Sequence, residues 1–125
     1  MTTSNIPASA AEWMATGERY LAARQVAQAI DCYVRAVELE PSAWSLRARL
    51  GRLLLSIRQF DAAEVEFRRA CAAAPRLPDL HVLHAYALRE QNEADAAVAA
   101  LQRALAIDPH HMHAAIAEAL MLPPV

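Results

Sequence analysis

Five histidines, two cysteines and the arginines Arg49 and Arg52 are the side chains of this 125-residue sequence whose types and spacing could do chemistry. His81 and His84 stand one helical turn apart, and His110, His111 and His113 cluster further on. Neutral imidazoles at such spacing can ligate zinc, which wants four ligands in a structural site. A helical pair supplies only two, and no cysteine or carboxylate beside either group completes the set, so no metal and no cofactor is expected. Cys32 and Cys71 lie 39 positions apart in alanine-rich stretches with no CxxC spacing, where small thiols are ordinary reduced core residues. No glycine-rich phosphate loop, no GxSxG and no spaced nucleophile and base occur, so no catalytic residue is assigned and the chain is not expected to be an enzyme in itself. Arg49 and Arg52 are the remaining candidates, as donors to a carboxylate.

Whatever these residues do, helices must position them. Apolar residues make up 56% of the chain and glycine occurs twice, which favours helix nearly everywhere. The length suits one domain. All 12 basic residues are arginine, against 14 acidic ones, for a net charge of -2. That balance gives no general attraction to nucleic acid. Arginine-only, alanine-rich usage points to a GC-rich bacterial genome. The first residues have neither a basic start nor an apolar run, and no stretch approaches ~18 consecutive apolar residues. A cytoplasmic chain without a membrane partner is the expectation.

Pro41, Pro75 and Pro109 recur every 34 residues. The same step aligns Ala29, Ala63 and Ala97; Ala36, Ala70 and Ala104; Tyr33, Phe67 and Leu101; and Gly17, Gly51, Ala85 and Ala119. Small residues on both sides of a crossing let two helices approach closely, large ones fill the space beside them, and each proline stops a helix. The pattern predicts an all-α chain of seven helices near residues 9–22, 26–39, 43–56, 60–73, 78–90, 94–107 and 111–121. Ser9-Ala10-Ala11-Glu12 is a capping box for the first helix. Asp61 and Asp79 place acids in first turns, and Ser42 is the expected cap of the third helix.

The first unit reads Trp13-x2-Thr16-Gly17-x2-Tyr20, then Ala29-x3-Tyr33-x2-Ala36, then Pro41, and so resembles the tetratricopeptide-repeat (TPR) family. The second unit keeps Leu50-Gly51, Ala63, Phe67, Ala70 and Pro75 but carries Arg47 in the tryptophan column; the third carries His81 and His84 at apolar columns. The resemblance implies a TPR right-handed superhelix of helix-turn-helix hairpins in a single domain over residues 9–122. Its repeats would span about 10–43, 44–77 and 78–111, followed by a terminal helix at 112–122, with a flexible N-terminus at 1–8 and a tail at 123–125. It also implies a concave groove lined by the first helix of each hairpin. Projected on this chain, the ligand groove comprises Met14, Glu18 and Leu21, then Arg49, Arg52 and Leu55, then Val82, Tyr86 and Arg89. The lysine and asparagine clamp with which some members hold the carboxylate end of heat-shock chaperones is absent, since Met14, Glu18, Asp79 and Leu83 stand at the matching columns.

The last helix continues the apolar pattern through Met112, Ile116, Ala119 and Leu122 with little polar surface to offer. A terminal cap normally turns a polar face outward, so self-association through Ile116, Ala119 and Leu120 is expected, giving a homo-oligomer. The resemblance implies a protein-binding adaptor or assembly scaffold whose partner is a protein or peptide. Two alternatives go with it: a substrate-recruiting domain of a bacterial glycosyltransferase, whose junction the run Leu120 to Val125 resembles, and a small secretion chaperone.

Overall fold

In a computed structural model, residues 6–121 are described; the expected extension to Leu122, the tail 123–125 and residues 1–5 lie outside them. Seven α-helices and no strand occur among the described residues: α1 (Ala10–Ala22), α2 (Val26–Leu39), α3 (Trp44–Ser56), α4 (Phe60–Ala73), α5 (Pro78–Glu90), α6 (Ala94–Ile107) and α7 (Met112–Met121). α1 with α2, α3 with α4 and α5 with α6 form antiparallel hairpins, and each second helix packs next on the first helix of the following hairpin, α6 on α7 included. No helix of the described residues is long and apolar enough to cross a membrane.

The small columns make the close crossings. Ala29, Ala63 and Ala97 are fully buried, as are Ala36, Ala70 and Ala104. A Cβ placed on Gly17 would lie 2.6 Å from Cε1 of Tyr33, and one on Gly51 would lie 2.7 Å from Cε1 of Phe67. The aromatic ring of the second helix therefore occupies the notch that the glycine leaves in the first. In the third hairpin the same notch holds the smaller Leu101, and there the chain tolerates Ala85.

Hairpin turns are made without glycine. Arg24, Arg58 and Asn92, again 34 apart, take φ of 63°, 65° and 64°. In each turn two backbone bonds close the helix end, as in Arg24 N–H to Leu21 O (2.9 Å) and Gln25 N–H to Tyr20 O (2.8 Å). This left-handed closure satisfies carbonyls that a helix end leaves open. The turns between hairpins contain Pro41, Pro75 and Pro109, and the preceding residues Glu40, Ala74 and Asp108 leave the helical region as a following proline requires.

Ser9 caps α1, its Oγ accepting from Glu12 N–H at 3.1 Å. Glu12 reaches Ala8 N–H (2.9 Å) instead of the serine's own amide. Ser42 does not cap α3: the helix starts one residue later, Ala43 occupies the cap position, and no side chain bonds there. Asp61 and Asp79 do lie in the first turns of α4 and α5.

The polar departures from the repeat have structural partners. Arg47 donates from Nε to Pro41 O (2.6 Å) and from Nη1 to Glu66 Oε1 (3.0 Å), with both side chains largely buried. His81, one period on, donates from Nε2 to Pro75 O at 2.9 Å. Both side chains thus replace the indole of the first unit with a donor aimed at the proline carbonyl six residues upstream. His84 bridges hairpins by donating from Nε2 to Glu64 Oε2 (2.8 Å).

Candidate functional site

The first helices place two adjoining hollows on one face. One, of about 360 Å³, is lined by Glu18 and Leu21 of α1, Tyr33 of α2, and Arg49, Arg52 and Leu53 of α3. The other, of about 420 Å³, is lined by Arg52 of α3, by Asp79, Val82, Leu83 and Tyr86 of α5, and by His111 and His113 at the start of α7. Arg52 belongs to both, so the hollows meet at its side chain.

These walls follow from helical spacing. Glu18 and Leu21, Arg49 and Arg52, and Val82 and Tyr86 are three or four apart on their own helices, which sets each pair on one face. Of the sequence-predicted residues, Glu18, Leu21, Arg49, Arg52, Val82 and Tyr86 line the hollows. Met14 does not offer an open surface: it is 4% exposed and belongs to the main core, because the next hairpin covers it. Leu55 packs against that same core, and Arg89 stands with its guanidinium 5.5 Å from the Tyr86 ring centroid. Sequence reasoning missed Tyr33, Leu53 and Leu83 as lining residues, and Asp79, His111 and His113. Asp79 lies three residues before Val82, and His113 three before Ile116, so carrying each face one turn further toward its N-terminus would have found both.

Charge is distributed unevenly along this face. Arg49 pairs with Glu18 across α1 and α3 at 2.8 Å, both more than half exposed, a geometry worth little in water. Arg89 pairs with the neighbouring Glu90 at 3.1 Å. Arg52 has no hydrogen-bond or ion-pair partner among the described residues. Burial, and then the nearby Glu18 carboxylate, push the Tyr33 hydroxyl above its ordinary range, which keeps it a neutral donor in the first hollow. His111 caps α7: its Nδ1 accepts from Ala114 N–H at 3.2 Å, so Nε2 carries the proton and donates to Asp79 Oδ1. One imidazole therefore ties α7 to α5 at the end of the second hollow.

Two further hollows open between the second helices. One, of about 430 Å³, lies between α2 and α4 and contains Arg47 and Glu66; the other, of about 420 Å³, lies between α4 and α6 and contains His84 and Glu64. Their inner polar groups already bond each other, unlike Arg52. Among the described residues no group of three or more His, Cys, Asp or Glu side chains could hold a metal. Burial raises both thiols, Cys71 to about 11, so they are held protonated and poorly nucleophilic.

Family models of the tetratricopeptide repeat match residues 14–78 and 78–111. No curated protein matches the sequence significantly. Among solved structures, the chain is similar to the first TPR of Spaghetti (RPAP3) bound to the HSP90 peptide SRMEEVD, with a TM-score of 0.80, 18% identity and 90% of each chain covered. It is similar to MamA from Desulfovibrio magneticus RS-1 with a TM-score of 0.80 and 20% identity, over 90% of this chain and 64% of that one. It is also similar to YrrB, described as a TPR protein with an unusual peptide-binding site, with a TM-score of 0.80 and 22% identity, over 90% of this chain and 58% of that one. At such identities the likeness is one of fold. The chain belongs to the tetratricopeptide-repeat family.

Proposed function

We propose that this chain is a protein-interaction module that holds a peptide or helix of a partner protein along the face of its first helices. The observation that carries the reading is Arg52: an arginine without an internal partner, placed where two apolar-walled hollows meet. A guanidinium there offers a carboxylate a two-pronged, charge-assisted contact. Leu21 and Leu53 on one side, and Val82, Leu83 and Tyr86 on the other, give apolar side chains flanking that carboxylate somewhere to go. The ligand is then a segment with an acidic residue between apolar ones. Similarity to YrrB and to the first TPR of Spaghetti, both described with peptides, supports the reading.

Peptides selected by display on the immobilised chain, and then measured by fluorescence anisotropy, test it. Arg52→Ala and Tyr86→Ala should each weaken a selected acidic-apolar peptide by roughly thirtyfold, the effect of losing an anchor worth about 2 kcal/mol. Arg52→Ala should leave the melting temperature nearly unchanged, because its side chain is exposed, whereas Tyr86→Ala should also lower it, because the ring packs against the core of the third hairpin and α7. Wild-type affinity in the doubly substituted, folded protein would place recognition elsewhere.

A further inference from the structure

We infer that His113 is a second anion-binding base of the first-helix groove, so that the groove takes a segment with two acidic residues and holds it more tightly as pH falls through the histidine range. The inference rests on the reading of that face as a ligand groove. His113 lines the same hollow as Arg52 and Tyr86, and the three side chains come from α7, α3 and α5, the successive first helices. One space of about 420 Å³ thus holds a fixed cation and an imidazole whose charge depends on pH.

The two imidazoles of this hollow differ in what they already do. His111 accepts from Ala114 N–H at Nδ1 and donates from Nε2 to Asp79, and its side chain is 12% exposed. His113 is exposed and makes no hydrogen bond or ion pair among the described residues, only a ring contact with His111 at 6.1 Å between centroids. The repeat shows that its column stays open. One period earlier Asp79 holds the same column, and its side chain is 83% exposed although another first helix, α7, follows it. Ile116 and Leu120, expected from the sequence to drive self-association with Ala119, hold the columns of Val82 and Tyr86. They follow His113 at three and seven residues, so the groove face continues along α7 beside the imidazole.

The charges around this imidazole leave its proton to decide the field. Arg52 of α3 and Asp79 of α5 are the charged groups of the hollow, and the Tyr86 hydroxyl of α5 and His111 of α7 are the other titratable ones. In the adjoining hollow Glu18 and Arg49 pair with each other. Glu118, the one acid of α7, accepts from Gln102 on the side of α6 at 3.3 Å. With both imidazoles neutral, the two arginines and the two acids that line the hollows cancel. Histidine is the side chain whose ordinary charge change falls between about pH 5 and 8, where the carboxylates of a ligand stay ionised. A proton on His113 therefore makes the face cationic while an acidic ligand keeps its charge. His111 cannot serve in the same way, because a proton on its Nδ1 would displace the Ala114 amide and uncap α7.

Displayed peptides are selected on the folded chain at about pH 5.5, and one carrying two acidic residues is labelled and measured by fluorescence anisotropy at that pH and at about pH 8, on either side of the histidine range. The wild type should bind it about fivefold more tightly at the lower pH, the most that a partly exposed ion pair supplies. His113→Gln keeps a polar side chain without the titration; it should match the wild type at the higher pH and gain nothing on acidification. His113→Arg should hold the tighter affinity at both. Changing the peptide's acids to amides singly should abolish the pH response at one position and cost roughly thirtyfold in affinity at the other, the partner of Arg52. If Arg52→Ala binds the peptide as the wild type does, the groove reading fails and the inference with it. If Arg52→Ala weakens binding while His113→Gln keeps the pH response, or the wild type has none, the groove stands and His113 is not its second base. Selection that yields only peptides with a single acid overturns the two-acid ligand. Should acid unfold the chain, His113→Arg at the higher pH decides alone, and affinity equal to that of the wild type overturns the inference.

Discussion

Gly51→Ala tests the hairpin crossing because two opposing effects of known size meet there. Alanine in place of glycine inside a helix is favourable by about 1 kcal/mol. Against that, the added Cβ would lie 2.7, 2.9 and 3.0 Å from three carbons of the Phe67 ring. Phe67 is wholly buried, so the ring has no open space to swing into, and overpacking of this kind costs about 1 to 3 kcal/mol. The net expectation is a loss of about 1 kcal/mol, or about 4 °C in melting temperature for a domain of this size. The chain itself supplies the remedy, since the third hairpin pairs Ala85 with Leu101 where the second pairs Gly51 with Phe67. Phe67→Leu alone should leave a cavity and also destabilise. The double variant Gly51→Ala/Phe67→Leu should recover at least about 1 kcal/mol relative to the sum of the singles, as contacting residues do in a cycle. Urea unfolding followed both by circular dichroism and by the fluorescence of Trp13 and Trp44 measures all four proteins and checks that the probes coincide. If the two changes simply add, the ring and the notch are not coupled and the account of the crossing is wrong.

Further outcomes follow from the turn and from one buried base. Arg58→Gly should raise stability by about 0.5 to 1 kcal/mol in thermal melts, because glycine takes the observed φ of 65° without the Cβ clash and that relief exceeds its extra unfolded-state entropy; a lower melting temperature would show the turn to be unstrained. His84 is held below its ordinary pKa, chiefly by burial, with the hydrogen bond to Glu64 opposing. The unfolded chain then takes up the proton first, so stability present above about pH 6.5 is lost as pH falls toward the depressed folded value. His84→Gln should flatten that part of the stability curve, and an unchanged slope would assign the acid limb to other groups.

The helices were legible in the sequence because their limits rest on strong local causes. Proline stops recur with the period, and the small-residue columns fix which faces meet, so α1 to α6 end where the pattern puts them and the starts of α1 and α3 fall one residue later. The hairpin turns were not legible. Their left-handed position holds Arg24, Arg58 and Asn92, and of these only asparagine is a residue type that favours such a φ. Nothing in an arginine advertises it; the backbone closure around it imposes the conformation. The same holds for Arg47 and His81. As sequence they were mismatches to an apolar column, whereas the structure gives them the carbonyls of Pro41 and Pro75 as shared targets. A bond to the turn six residues back depends on how the loop folds over the next helix, which periodicity does not encode.

Arg47 and Arg52 separate what the repeat can specify from what it cannot. Five residues apart on α3, they are rotated by about 140° from one another at 100° per residue. Arg47 consequently turns toward the loop and α4, where a carbonyl and Glu66 satisfy it, and its charge contributes to joining hairpins. Arg52 turns toward the face where first helices follow one another, and no acid of a neighbouring helix bonds it there, although Glu18 and Asp79 line the same hollows. Glu18 is engaged by Arg49, and Asp79 by His111. The two acids that line these hollows are thus each paired with a different base, which leaves Arg52 without an acid of its own on this face. Column position decides which way each guanidinium points; the pairing of its neighbours decides whether it is available to a partner. The first follows from a 34-residue period, and the second becomes readable only when α1, α3, α5 and α7 are set side by side.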